Sequence, residues 1–214
     1  SNAIGSYSNM LKQATFQFNL SSFKYKERCA HGKECSMLCE SLTILDLSAF
    51  DTRNVEDMSN MFQACTNLTT LDISSFRTPK LKHLTTAFTS CYKLQSVSME
   101  NFDFTNVEDM NSMFSNCVQL NAFLTIRGTK LTAATVSGAL NDVARDNNNH
   151  AVFVNYIDDA TKAIAQMIVD TKGYGHAYLG SLVTTAAPNS LETVSKAAVL
   201  NAFEETAVAA NSLA

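Results

Sequence analysis

The six cysteines and four histidines of this 214-residue chain are the side chains best suited to metal or redox chemistry. Cys29, His31, Cys35 and Cys39 lie close together and look at first like a metal cluster. Their spacing lacks the paired Cys-x-x-Cys of common zinc sites. Free thiols are the leading reading of these residues, a Cys29–Cys35 disulfide is the alternative, and a metal comes last. The acid pairs Glu56-Asp57, Glu108-Asp109 and Asp158-Asp159 all fall where a helix is expected to begin, so capping accounts for them without acid–base catalysis. His83 is expected on the surface beside a repeat, and His150 and His176 at or next to strands. No Gly-x-Ser-x-Gly elbow, phosphate loop or His-Glu-x-x-His is present. The chain is therefore expected not to be an enzyme, with no catalytic residues, no metal and no cofactor.

Cys39 belongs to something larger. Cys39, Cys65, Cys91 and Cys117 recur every 26 residues, and each opens a Cys-x-x-Leu phrase. Phe50, Phe76 and Phe102 keep the same step, as do Val55, Leu81 and Val107, and Met58, Leu84 and Met110. Phe62, Phe88 and Phe114 follow it too, then Leu68, Leu94 and Leu120. A fixed period of this length marks a solenoid, in which one small unit stacks on copies of itself. A periodic Cys among periodic Phe and Leu is a small buried hydrophobe.

Within one unit, Val55, Met58, Met61, Phe62 and Cys65 are spaced to form one stripe of a helix, with Asn54 as its N-cap. Thr66-Asn67 breaks it, and Leu71 and Ile73 then alternate with Thr70, Asp72 and Ser74 as a short strand. The expectation is an α/β solenoid with a parallel sheet on its concave face and helices on its convex face, because helices about 10 Å wide must splay strands about 4.8 Å apart. Leu45, Leu47, Leu71, Ile73, Val97 and Met99 would face inward. Asp46, Ser48, Thr70, Asp72, Ser74, Ser96, Ser98 and Glu100 would form the exposed concave rungs and are the candidate partner-binding residues. Charge supports the register, because the middle unit reverses the sign of its neighbours at Asp51/Arg77/Asp103, Glu56/Lys82/Glu108 and Asp57/His83/Asp109.

The phrases Phe50-Asp51-Thr52-Arg53-Asn54-Val55-Glu56-Asp57-Met58-Ser59-Asn60-Met61-Phe62 and Phe102-Asp103-Phe104-Thr105-Asn106-Val107-Glu108-Asp109-Met110-Asn111-Ser112-Met113-Phe114 resemble the BspA-like leucine-rich repeat of bacterial surface proteins. Cys65-Thr66-Asn67-Leu68-Thr69-Thr70-Leu71-Asp72-Ile73-Ser74 resembles the tail of that repeat. The middle copy departs from it at Pro79-Lys80-Leu81-Lys82-His83-Leu84, which keeps the apolar spacing and weakens the helix cap. The resemblance implies cell-surface display or secretion, and adhesion to a protein or glycan on a host or neighbouring cell.

Three regions are expected. Residues 1–23 hold a tag remnant, suggested by Ser1-Asn2-Ala3, and a capping strand at Thr15-Phe16-Gln17-Phe18-Asn19-Leu20. Residues 24–130 hold the repeats, the first of them degenerate. Residues 131–214 form an α/β cap, because the period stops after Gly128. In the cap a helix capped by Thr132 or Thr135 should run to about Arg145, with Val136, Leu140 and Val143 on one face. A strand should follow at Ala151-Val152-Phe153-Val154-Asn155-Tyr156. A helix should then start at Asp158 or Asp159 and end at Lys172-Gly173, before a second strand from Tyr174 to Thr184. A long Ala-rich helix, with Asn189 and Glu192 spaced as a capping box, should close the chain.

A net charge of −4 argues against nucleic acid, and no apolar run reaches the length of a membrane span. Any export signal is expected to have been removed ahead of Ser1. The alternative to adhesion is a structural subunit of an envelope or phage assembly that makes contact through the Ala-rich helix.

Overall fold

The computed structural model describes residues 52, 53, 55–98, 102–146 and 149–184. The expected capping strand, the degenerate first unit with Cys29, His31 and Cys35, the cap residue Asn54 and the Ala-rich helix lie outside them. So do Leu45, Asp46, Leu47, Ser48, Met99 and Glu100.

The described residues form a solenoid of parallel strands. Strand β1 (Thr70–Asp72) pairs with β2 (Ser96–Ser98), matching Thr70 to Ser96, Leu71 to Val97 and Asp72 to Ser98. A single bridge from Ser96 to Asn121 carries the stack to β3 (Ala122–Ile126). Strand β3 pairs in parallel with β4 (Val152–Tyr156), which pairs in parallel with β5 (Ala177–Leu182). Helix α1 (Asp159–Val169) connects β4 to β5.

The helices expected in each repeat are turns. In a helix every N–H would return to the carbonyl four residues back. Here alternate N–H groups leave the coil. Those of Met58, Asn60, Phe62 and Ala64 donate to the carbonyls of His83, Thr85, Ala87 and Thr89 on the next coil, at 2.8–2.9 Å. The intervening N–H groups of Met61, Gln63 and Cys65 donate to the carbonyl three residues back. The chain turns at two columns of left-handed residues, Asn60, Thr86, Ser112 and Gly138, then Ala64, Ser90, Asn116 and Asp142. In the turn from Met58 to Met61, and again in the turn from Phe62 to Cys65, the third residue has positive φ, which is the type II pattern. Apolar steps of three and four residues fit such turns as well as a helix, so the stripe was right and the element wrong. Turns bonded coil to coil repeat at strand spacing on their own side. The width mismatch that was expected to bend the stack is therefore absent there.

The same ladder continues past Gly128. Met110, Ser112, Phe114 and Asn116 donate to Thr135, Ser137, Ala139 and Asn141 at 2.8–2.9 Å. The helix expected up to Arg145 is thus a further coil of turns. Val136, Leu140 and Val143, all fully buried, extend the columns of Met110, Phe114 and Cys117. β4 and α1 lie where the strand and helix were placed, β5 covers only Ala177–Leu182 of the strand expected from Tyr174 to Thr184, and Asp158 is the N-cap of α1, in a reciprocal capping box with Thr161.

Columns of like side chains fill the interior. The rings of Phe62, Phe88 and Phe114 stack at 5.2 and 4.8 Å between centroids, close to the strand spacing. Cys65, Cys91 and Cys117 are fully buried, as the period implied. The thiols of Cys91 and Cys117 also donate to the carbonyls of Phe62 and Phe88, at 3.1 and 3.0 Å. Buried threonines splice the coils together. The Thr52 hydroxyl donates to the Arg77 carbonyl and accepts from the Arg77 N–H, both at 2.9 Å. Thr78 does the same at Asp103, at 3.2 and 2.7 Å. Phe104 occupies the next such position. One coil further on, Gly128 lies against the Thr105 backbone, where a Cβ would stand 2.0 Å from the carbonyl oxygen.

Candidate binding face

β1 and β2 put Leu71 and Val97 into the core and Thr70, Asp72 and Ser96 out to solvent, with Ser98 half-buried. The strand pairing sets Thr70 beside Ser96 and Asp72 beside Ser98, so four of the eight candidate residues form two adjoining rungs. Ser74, half-buried, lies just beyond β1. Its N–H and hydroxyl both donate to Asp72 Oδ1, at 3.0 and 2.6 Å, and fix that carboxylate at the strand end. Asp46, Ser48 and Glu100 lie outside the described residues. The described rungs offer hydroxyls and a carboxylate along the stack, a chemistry of hydrogen bonding and charge without a nucleophile–base pair.

Further along the stack the same side of the sheet becomes aromatic. Phe123, Phe153 and Tyr178 are matched across β3, β4 and β5. Their ring centroids are 5.5 and 5.8 Å apart, with planes inclined by 22° and 35°. Phe153 is buried, Tyr178 is 42% exposed, and Lys172 Nζ stands 5.4 Å from the Tyr178 ring. Sequence reasoning missed this ladder. Its members are 30 and 25 residues apart, out of step with the 26-residue period. Alternation within each strand was the one signal available, and it carries no register.

The charge reversal reappears as contacts between coils at another edge of the stack. Backbone bridges join Asp57 to His83 and His83 to Asp109. Lys82 Nζ lies 2.9 Å from Glu56, Lys130 Nζ 3.4 Å from Glu108, and His83 Nδ1 3.2 Å from Asp109, whose other oxygen accepts from Thr85. The hydrogen bond and charge of Lys82 hold the Glu56 carboxyl below the usual carboxylate range, and Glu56 in turn raises Lys82. Of the first expected column, Asp51 lies outside the described residues. Arg77 donates to the carbonyls of Ser74 and Phe76.

The groups singled out for chemistry are dispersed. His83 meets Asp109, while His150 Nδ1 is 2.6 Å from the Gln119 carbonyl. The backbone of His176 bonds to Val143 and Val152. Asp158 caps α1, and hydrogen bonds from Thr161 lower its carboxyl below the ordinary range. Among the described residues no three His, Cys, Asp or Glu side chains are grouped so as to hold a metal ion, and no helix is long and apolar enough to cross a membrane.

No curated protein and no solved structure matches this chain. The family described as "Mycoplasma protein of unknown function, DUF285" matches residues 33–150, a stretch that holds the whole Cys-x-x-Leu period and the coil of turns after it. That stretch is more than half of the sequence, and the chain belongs to this family.

Proposed function

We propose that this chain is a non-enzymatic binding module of the BspA-like leucine-rich-repeat kind. On this reading it is displayed on the cell surface or secreted, and residues beyond the repeats cap the stack. Its strand face meets a protein or glycan on a host or neighbouring cell. The observation that carries the reading is the pair of adjoining polar rungs, Thr70 with Ser96 and Asp72 with Ser98, held outward by buried Leu71 and Val97. Short paired strands fix the position of these side chains before any partner arrives, which limits the entropy lost on binding. Asp46, Ser48, Ser74 and Glu100 belong to the same proposed surface.

The test uses fluorescently labelled protein on a glycan array and on cultured animal cells, with and without protease treatment of the cells. A variant carrying Thr70→Lys, Asp72→Lys, Ser96→Lys and Ser98→Lys should bind at least about tenfold more weakly, equivalent to about 1.4 kcal/mol. Loss of cell binding after protease treatment assigns a protein partner, and retention with array signal assigns a glycan. Equal binding by the variant and the parent chain would exclude this face.

A further inference from the structure

At β5 the outward face gathers hydrogen-bond donors that the stack itself does not use. Ala177 is fully buried and Leu179 packs against the core, so alternation turns Tyr178 outward. His176, two residues earlier and half-buried, falls on the same side. Lys172 Nζ stands 5.4 Å from the Tyr178 ring centroid and makes one long hydrogen bond, 3.4 Å to the Ala177 carbonyl. Lys82, Lys130 and Arg145 are each paired with a carboxylate, whereas Lys172 has no such partner among the described residues. The acids of the adjoining coil, Asp142 and Asp146, are held by Arg145. The Tyr178 hydroxyl and the His176 ring likewise have no hydrogen-bond partner among the described residues.

An ammonium, a phenol and an imidazole beside one ring that is 42% exposed suit an acceptor-only anion carried on a group with an apolar side. A carboxylated sugar has that chemistry, with its carboxylate at the donors and its C–H groups on the exposed part of the ring. Strand register extends the site. The Ser96–Asn121 bridge sets Ser98 beside Phe123, so Asp72, Ser98, Phe123, Phe153 and Tyr178 share one row across five strands. Four strand steps separate Asp72 from Tyr178 by about 19 Å, so only a chain-like ligand spans the row. Asp72 lies beyond the screening length of about 8–10 Å from the Lys172 end, so it does not repel an anion held there. At the rungs it accepts from neutral sugar hydroxyls instead. A protein partner calls for a broad apolar centre, but Tyr92, Tyr174 and Leu182, the other large exposed apolar side chains described, lie outside this row. We propose that the outward face binds an oligosaccharide ending in a carboxylated sugar, whose carboxylate is held by Lys172, Tyr178 and His176 and whose neutral sugars reach the rungs. This rests on the strand-face reading above and names its ligand class.

The test applies the full chain to a glycan array of oligosaccharides ending in sialic or uronic acid, each beside its desialylated or methyl-esterified counterpart, with calorimetry on the strongest pair. The acidic chain should bind at least about tenfold more tightly than its neutral counterpart. Lys172→Gln should erase that difference, with an unchanged circular dichroism melt as the check on folding. Tyr178→Ala should weaken the acidic chain by a similar factor; if that variant melts early, Lys172→Gln alone decides. Equal binding of acidic and neutral chains, binding of neither, or an acidic preference that survives Lys172→Gln would each overturn the proposal. Protease-sensitive cell binding that falls in the Thr70/Asp72/Ser96/Ser98 variant but not in Lys172→Gln would overturn it too, while leaving the strand-face reading standing. Acidic-chain binding lost in Lys172→Gln and unaltered in the Thr70/Asp72/Ser96/Ser98 variant would support the β5 site and exclude the rungs.

Discussion

Replacing Thr78 by valine tests the coil-splicing hydroxyl with little change of shape. The residue is buried, and its single oxygen both donates to the Asp103 carbonyl at 3.2 Å and accepts from the Asp103 N–H at 2.7 Å. Valine fills the same volume and satisfies neither group. Asp103 is itself buried, so water cannot readily replace the lost bonds. Two unsatisfied backbone groups at about 1–3 kcal/mol each give an expected loss of about 2–6 kcal/mol. Thr78→Ser keeps both bonds and removes one methyl, an expected loss of about 1 kcal/mol. Thr52→Val breaks the same pair of bonds at Arg77. Arg77 is only half-buried, so solvent can recover part of the loss and the cost should fall between the other two. The chain has no tryptophan, so urea unfolding is best followed by far-ultraviolet circular dichroism, with unchanged slopes as the check that compactness is unaltered. Valine and serine variants of Thr78 agreeing to within about 0.5 kcal/mol would refute the splice, because only the loss of both hydrogen bonds makes valine, which keeps the apolar volume, the costlier of the two.

The other predictions concern backbone strain and charge. Ala64 sits at φ 57°, so Ala64→Gly removes an unfavourable left-handed alanine and, after the extra freedom of the unfolded chain is counted, should stabilise by about 0.5–1 kcal/mol in the same urea assay. Gly128→Ala drives a Cβ to 2.0 Å from the Thr105 carbonyl oxygen and should cost about 3 kcal/mol or more; a change below about 1 kcal/mol would mean that the backbones do not touch. The Glu56 carboxyl is lowered from 4.5 by Lys82, so its contribution is present above that pH and is lost as pH falls through the lower folded value. Lys82→Gln should therefore flatten the stability loss over that acid window, and salt should do the same to the parent chain. An unchanged acid limb in a stability–pH series would show that the pair is not formed in solution.

The polar rungs were legible because alternation within a strand and a constant 26-residue step together fix both the face and the partner of Thr70, Asp72, Ser96 and Ser98. Buried columns were legible for the same reason, since Phe62, Phe88 and Phe114 can stack only if whole coils repeat. The turns were not legible. Met58, Met61, Phe62 and Cys65 are spaced alike for a helix and for successive turns, and the difference lies in where alternate N–H groups find acceptors. Those acceptors are on another coil, 25 residues away, at a distance that local pattern does not sense.

Sequence alone determined that this protein is a stack, which residues lie inside it, and which polar side chains share the outward strand face between Thr70 and Ser98. Tertiary structure decided the rest. Hydrogen bonds between coils turned expected helices into left-handed corners, carried the ladder through residues 135–141 after the motif had faded, and lined up Phe123, Phe153 and Tyr178 across unequal spacings. The physical reason is that a repeat specifies its own side-chain columns, whereas backbone groups choose partners only once neighbouring coils are in place.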